Sequence, residues 1–234
     1  MSEIVLKNVT KNYGNVQGVS DITIILKPGI TGILGPNGAG KSTTMKLILG
    51  LSRPSIGYVG VNGSDPFVDW KLRRNIGFVP EYDCFYEHMT GMEYVSYFLR
   101  MHDVEGEEAD EKAKKALIEL GLEKSLNRKI RTYSRGMRQK TKVARATVFD
   151  PKILVLDEPF QGADPTTRHL LMGKMKRWAE EGKTILISSH ILHDIEDLTD
   201  TIILINNGKM LASGNRHEIR KLMDNIPRRV AVSP

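Results

Sequence analysis

Cysteine is almost absent: Cys84 is the single one in 234 residues. No disulfide framework can staple the chain, and the expected setting is a reducing compartment. Long apolar runs are also missing. Ile22–Leu26, Ile153–Leu156 and Ile202–Ile205 are strand-sized, far below the ~18–20 residues a membrane-crossing helix needs. The opening Met1-Ser-Glu-Ile-Val-Leu-Lys7 has no basic flank leading into an apolar stretch, so no signal peptide is expected. Internal repeats and low-complexity tracts are lacking. The net charge of +6, with pI ≈ 9.3, is modest. It leaves open nucleic-acid binding, a bound phosphate, or a face turned toward anionic lipid. The length suits one well-packed domain with a lobe inserted in it.

What is present is Gly35-Pro36-Asn37-Gly38-Ala39-Gly40-Lys41-Ser42-Thr43, a complete G-x-x-x-x-G-K-[ST] loop. Ile30 to Leu34 ahead of it reads as a short buried strand. Thr43 to Gly50 behind it reads as a helix with Met45, Leu47, Ile48 and Leu49 as its apolar positions. Glycines let backbone N–H groups turn inward around phosphate oxygens, and a helix N-terminus adds a favourable dipole. Lys41 is expected to bridge β- and γ-phosphates, and Ser42 to join a Mg²⁺ shell. The alternative, a glycine-rich turn without a ligand, does not explain why every fixed position is filled in a strand–loop–helix context. A nucleoside triphosphate is the expected ligand.

The rest reads as α/β. Ile4 to Leu26 alternates apolar and polar residues and is expected to be antiparallel and half-exposed. Gly57 to Gly63 reads as a strand closed by an Asn-Gly turn. From Tyr94 to about Ala146 the pattern is helical, with Ala109, Ala113, Ala116, Leu117 and Leu120 on one face and Gly121 as a stop. Strand character returns at Ile153–Leu156, Thr184–Ser188 and Thr201–Ile205. Near-continuous apolar strands alternating with helices predict a parallel sheet buried on both faces.

Ile153-Leu-Val-Leu-Asp157-Glu158-Pro159 puts two carboxylates at the C-terminal end of a buried strand, where ligands sit in doubly wound sheets. Asp157 is expected to hold Mg²⁺, and Glu158 to polarise the water that attacks the γ-phosphate. Alone, the pattern could be only a strand end and a turn; after a phosphate loop it becomes that loop's partner.

Weaker features complete a pattern: Tyr13-Gly14, Glu81 after Ile76-Gly-Phe-Val-Pro80, Tyr133-Ser134-Arg135-Gly136-Met137-Arg-Gln139, Gln161-Gly-Ala-Asp164 and Ser188-Ser-His190. In this order, over residues 3 to 220, the chain resembles the ATP-binding cassette (ABC) ATPases, and within them the stand-alone subunits of drug, antibiotic or sodium-type exporters. The resemblance implies a P-loop NTPase core with a parallel sheet, an N-terminal antiparallel β-subdomain and an inserted α-helical subdomain. It implies one domain over 1–225, with a nucleotide-binding core at 1–80 and 147–215, a helical signature lobe at 88–146 and a short tail at 226–234. It also implies ATP and Mg²⁺ as ligands, and as partners a second ABC ATPase subunit, expected to be another copy of this chain, and an integral membrane permease. No specific nucleic acid is expected. The implied place is cytoplasmic, peripheral on the inner face of the cell membrane.

Carried over by residue, the resemblance gives catalytic roles to Lys41, Glu158 and His190 and metal contact to Ser42, Glu81 and Asp157. Tyr13 would stack on adenine, beside residues 35–43 around the phosphates. Ser134, Arg135, Gly136 and Met137 would act in trans on a partner's nucleotide. Asp164 would couple the two sites, or serve only as a helix cap before Pro165; both can hold. Tyr82 to Met92, rich in aromatics and methionines, would receive a short helix of the permease, or would only pack the lobe onto the core. Three departures stand out. Tyr133-Ser-Arg-Gly-Met replaces the usual Leu-Ser-Gly-Gly-Gln, so Arg135 either turns outward or brings a cation to the partner's phosphates. Glu81 stands where glutamine is usual, and Gln161-Gly-Ala-Asp replaces Ser-Gly-Leu-Asp. An active ATPase is still expected. The remaining histidines, His88, His102, His169, His193 and His217, have no metal-ligand spacing. A soluble ABC ATPase acting on nucleic acid or ribosomes is the main alternative, disfavoured by the lack of a coiled-coil insertion or second cassette. A GTPase is disfavoured by the missing Asn/Thr-Lys-x-Asp motif. Import remains a rival to export.

Overall fold

The structure is a computed structural model that describes residues 3–216, 219 and 220. His217 and the 226–234 tail lie outside the described residues.

Two strands, β1 (Ile4–Tyr13) and β2 (Val16–Leu26), form an antiparallel hairpin. Strand β4 (Ile56–Val61) adds to the other edge of β1, giving a three-stranded sheet ordered β2-β1-β4. The apolar alternation read from Ile4 onward is the burial pattern: Ile4, Leu6, Val9, Ile22, Ile24 and Leu26 point inward. Asn62 and Gly63 both adopt positive φ (51° and 81°), as the two-residue hairpin turn after β4 requires. Tyr13 is the last residue of β1, at the hairpin bend.

The second sheet has the order β5-β6-β7-β3-β8-β9, built from β3 (Gly29–Leu34), β5 (Ile76–Val79), β6 (Ile153–Leu156), β7 (Thr184–Ser189), β8 (Thr201–Asn206) and β9 (Lys209–Asn215). Its first five strands are parallel. The last, β9, runs antiparallel to β8, an element the apolar-run reading did not anticipate because its residues alternate between exposed and half-buried. Both faces of the sheet are covered. One packs against α1 (Lys41–Ile48) and the three-stranded sheet, through Ile33, Val155 and Leu186. The other packs, through Leu154, Leu156 and Ile187, against α5 (Pro165–Glu180) and the helices α2 (Gly91–Arg100), α3 (Gly106–Glu119) and α4 (Arg135–Thr147). A short α6 (Leu192–Glu196) follows β7.

The helices between β5 and β6 form because their ends are specified locally. Thr90 and Glu93 make a reciprocal capping box at the start of α2, satisfying two otherwise orphaned donors. Ala109, Ala113 and Leu117 are fully buried on one face of α3. Gly121, at φ +68°, takes the left-handed position just past the helix that glycine adopts without strain. Surface ties join the pieces: Arg100 donates to Asp110, and Arg138 makes a paired contact with Glu87 at 2.6 and 2.7 Å.

Three carboxylates in these ties are held below their ordinary values. Arg138's hydrogen bonds lower Glu87, the Thr90 amide lowers Glu93, and the Ser96 hydroxyl lowers Asp110. Their reference values are 4.5 for Glu and 3.8 for Asp. The ionised forms therefore contribute stability above those values and lose it as pH falls through the lower folded ones. We expect hydrogen-exchange protection in α2 and α3 to fall below about pH 4, ahead of β3 and β7. Simultaneous loss in all four elements would show that these carboxylates are not the weak point.

Candidate functional site

Strand order decides the site. In β6-β7-β3, three neighbouring parallel strands end side by side, and each delivers one part of the chemistry: Asp157-Glu158, Ser188 to His190, and the 35–43 loop.

The loop is shaped by close approach. A Cβ at Gly35 would collide with the carbonyl oxygen of Ile205, and Gly40 has φ +110° with the Gly18 carbonyl 2.8 Å from where its Cβ would be. Only glycine fits either place. No side chain caps the start of α1, which leaves first-turn amides for an anion. Lys41 is buried and donates from Nζ to the Gly35 carbonyl at 2.7 Å and the Pro36 carbonyl at 3.3 Å. Residues 36–43 line a cleft of about 410 Å³ together with Tyr13, Glu81, Tyr82, Asp157 and Glu158. Tyr13 is 45% exposed, and Lys11 Nζ stands 5.0 Å from its ring centre. A Cβ at Gly18 would lie 3.0 Å from the Tyr13 ring and 3.1 Å from the Thr43 methyl, so the ring sits beside the end of the loop.

Glu158 is 7% exposed and lies between two partners. Its Oε1 is 3.3 Å from Lys41 Nζ, and its Oε2 is 2.9 Å from His190 Nδ1. Its backbone has φ +47°, a sparsely populated region for a non-glycine residue. Ser188, fully buried, secures that conformation: its Oγ accepts from the Glu158 N–H at 2.8 Å and donates to Asp157 Oδ1 at 2.6 Å. In the sequence, Ser188 stands out only as part of the strand end before His190. The available signal was a polar residue at an inward position of an otherwise apolar strand. Gln17 and Gly18 of β2 also line the cleft unforeseen. The Asn207-Gly208 turn between β8 and β9 supports the loop from outside the cleft: the Gly208 N–H donates to the Ala39 carbonyl at 2.9 Å.

The remaining expected residues gather elsewhere. Ser134 is the N-cap of α4, accepting from the Met137 N–H at 3.3 Å. Arg135 is exposed and runs beside Gly162, its Cδ 3.3 Å from where a Cβ there would be. Gly136 faces the start of α5, and a Cβ on it would lie 2.5 Å from Asp164 Oδ2. Asp164 caps α5, accepting from Thr167 N–H and Oγ1–H at 2.9 and 2.8 Å. These bonds hold its carboxyl below the ordinary value. None of these four residues, nor Met137, lines the nucleotide-sized cleft of its own chain. Glu81 does line it, and Lys142 of α4 donates to the Glu81 carbonyl at 3.1 Å. In the Tyr82–Met92 segment, Phe85 is half-buried, with its ring 5.0 Å from that of Tyr94, while Tyr82 and Tyr86 are 75% and 48% exposed.

Replacing Ser188 with Ala should strand a buried carboxylate oxygen and a buried N–H, at a cost of ~1–3 kcal/mol each. Urea unfolding of Ser188→Ala against Ser188→Thr, which keeps the hydroxyl, tests this. Equal midpoints for wild type and Ser188→Ala would show that the hydroxyl joins nothing of consequence.

The family model for ABC transporters matches residues 19–161. The Nod factor export ATP-binding protein I of Cupriavidus metallidurans is 35% identical over 216 residues, covering 92% of this chain and 71% of the relative. An uncharacterized ABC transporter ATP-binding protein of Bacillus subtilis is 35% identical, with 88% and 67% covered. Among solved structures, an ATP-binding subunit of an ABC transporter superposes with a TM-score of 0.84 at 30% identity, covering 94% of this chain and 93% of that one. A dimeric ATP-binding cassette in a post-hydrolysis state, bound to ADP and Pi, superposes at 0.83 and 28%, covering 91% and 98%. With well over half its length matched by the family and its phosphate loop, paired carboxylates and histidine assembled on one sheet edge, this chain belongs to the ABC transporter family as an ATP-binding subunit.

Proposed function

We propose that the chain hydrolyses ATP to ADP and phosphate to energise export through a separate integral membrane permease, working as a pair of cassettes on the cytoplasmic face of the membrane. The observation that carries the reading is the placement of Glu158 between Lys41 and His190, with Ser188 tying it to Asp157. Export is supported by relatives that carry that role in their names. Peripheral attachment accords with the described residues, in which no helix is long and apolar enough to cross a membrane.

In this reading residues 35–43 hold the triphosphate. Lys41 bridges the β- and γ-phosphates, and Tyr13 stacks on adenine. A γ-phosphate entering the cleft competes with Glu158 for the Lys41 ammonium, releasing the carboxylate to take a proton from the attacking water. His190 then holds Glu158 in position and faces the γ-phosphate. Ser42, Asp157 and Glu81 offer only hydroxyl and carboxylate oxygens, the donors Mg²⁺ prefers. When bound, Mg²⁺ neutralises charge on the β- and γ-phosphates. The core at 1–80 and 147–215 binds the nucleotide, and the 88–146 lobe presents Ser134 and Gly136 to the nucleotide of a second copy. Arg135, lying along Gly162, turns away from its own cleft, and Asp164 joins the two sites. The permease docks at a cleft of about 430 Å³ beside the lobe, where Ile76, Phe78, Phe98 and Phe149 are interleaved with Arg73, Arg74 and Arg145. Phe85 is already occupied by Tyr94 and Arg138.

Glu158→Gln should retain ATP binding and lose about 10²–10⁴-fold in turnover, the usual cost of a missing general base. Steady-state phosphate release together with nucleotide binding measures both, and near-normal turnover would remove Glu158 from that role.

The same variant traps the paired state. In the presence of ATP, light scattering should report a C₂ dimer of Glu158→Gln, and adding Ser134→Arg should return it to monomer. A dimer that tolerates Ser134→Arg would place the signature residues outside the interface.

A further inference from the structure

Between β4 and β5 the chain presents Phe67, Val68 and Trp70 to solvent, with 41%, 69% and 56% exposure. Leu51, 58% exposed, lies next to them, because Gly50 abuts the Pro66 carbonyl and the Phe67 backbone. Cations are interleaved with these groups. Arg53 stands 5.9 Å from the Phe67 ring centre, and Lys71 and Arg74 stand 5.9 and 5.6 Å from that of Trp70. Lys11 reaches the Arg53 carbonyl at 2.9 Å, bringing a further cation to the edge. Arg73 donates to the Pro66 and Phe67 carbonyls and so fixes the shape of the segment.

The nearby acids do little to offset this charge. Asp65 and Asp69 fold back onto the Phe67 and Lys71 amides, and Asp103 pairs with Arg74. Among the described residues, Arg53 and Lys71 have no carboxylate partner.

We propose that this patch rests on an anionic bilayer surface, with Phe67, Val68 and Trp70 entering the headgroup region and Arg53 and Lys71 meeting lipid phosphates. Both halves of the patch have a use there: aromatic and aliphatic side chains favour the headgroup boundary, and cations favour its negative potential. A nucleic-acid backbone would use the cations but leave the exposed aliphatic Val68 without a role. The proposed docking cleft borders this patch and shares Leu51 and Arg74 with it, but Phe67, Val68, Trp70, Arg53 and Lys71 lie outside that cleft, and the proposal does not depend on the direction of transport.

The chain supplies its own reporter, since it has two tryptophans and the other, Trp178, is 7% exposed. The full chain is mixed with vesicles of phosphatidylglycerol and phosphatidylcholine in equal parts, and with vesicles of phosphatidylcholine alone. We expect a blue shift of Trp70 emission and co-flotation with the anionic vesicles only, suppressed by salt. Arg53→Glu combined with Lys71→Glu should weaken partitioning about tenfold or more, and Trp70→Ala should reduce flotation. ATP turnover of the isolated variants should equal wild type, which shows that they fold. Absence of binding to anionic vesicles, equal binding to phosphatidylcholine alone, or undiminished binding of the double variant would each overturn the proposal. Binding confined to vesicles that also carry a membrane subunit would overturn it too, and would assign the patch to a protein partner.

Discussion

A carboxylate that is nearly buried must find partners or give up its charge, and Glu158 has found a cation on one oxygen and a ring nitrogen on the other. Much of the molecule follows from keeping that arrangement. Lys41 comes from the turn between β3 and α1, Glu158 from the end of β6, and His190 from the end of β7. These strands are neighbours in the sheet, and their register aligns Leu156 with Ile187 and Leu34 with Ser189. The apolar runs that bury the sheet on both faces are therefore also what brings three charged or polar groups to one edge. The positive φ of Glu158 is the local cost of turning its side chain back into the cleft. The buried hydroxyl of Ser188 stabilises that conformation by taking up the amide it would otherwise leave unbonded.

The second constraint is carried by one face of α4. Arg138, Lys142 and Arg145 lie roughly one helical turn apart and reach across to β5 and the chain that follows it. Arg138 holds Glu87 and Asp83, Lys142 holds the Pro80 and Glu81 carbonyls as well as Asp83, and Arg145 donates to the Phe78 carbonyl at 2.7 Å. Burial pushes the Lys142 ammonium down, while the Asp83 carboxylate opposes that shift. The helix that starts at Ser134 and the segment that begins at Glu81 are thus joined through charged contacts along several turns. At its other side the start of α4 meets the start of α5, where Gly136 leaves room for Asp164.

Several elements were legible because their causes are local. The phosphate loop, its strand and its helix announce themselves by glycine spacing and by the switch from strand to helix periodicity. The same holds for the Asn62-Gly63 turn, the buried face of α3 and the strand ending in Asp157-Glu158. Strand β9 escaped that reading because an edge strand exposed on one face carries no apolar run, although Asn207-Gly208 marked its hairpin. Ser188 escaped as a hub because a serine's value lies in what stands across from it, and Asp157 is far away in sequence.

The chain by itself determined the list of parts: an anion-binding loop, two carboxylates at the end of a buried strand, a histidine after another, and helices with their own caps. These follow from backbone sterics, periodicity and capping, which act over a few residues. Only the tertiary structure decided which parts meet. It set the order β6-β7-β3 that seats Glu158 between Lys41 and His190, turned Ser134 and Asp164 away from the cleft of their own chain, drew Phe85 inward onto Tyr94, and left Trp70 among cations at the surface. Such outcomes depend on strand order and on contacts between residues distant in sequence, and no local preference encodes them.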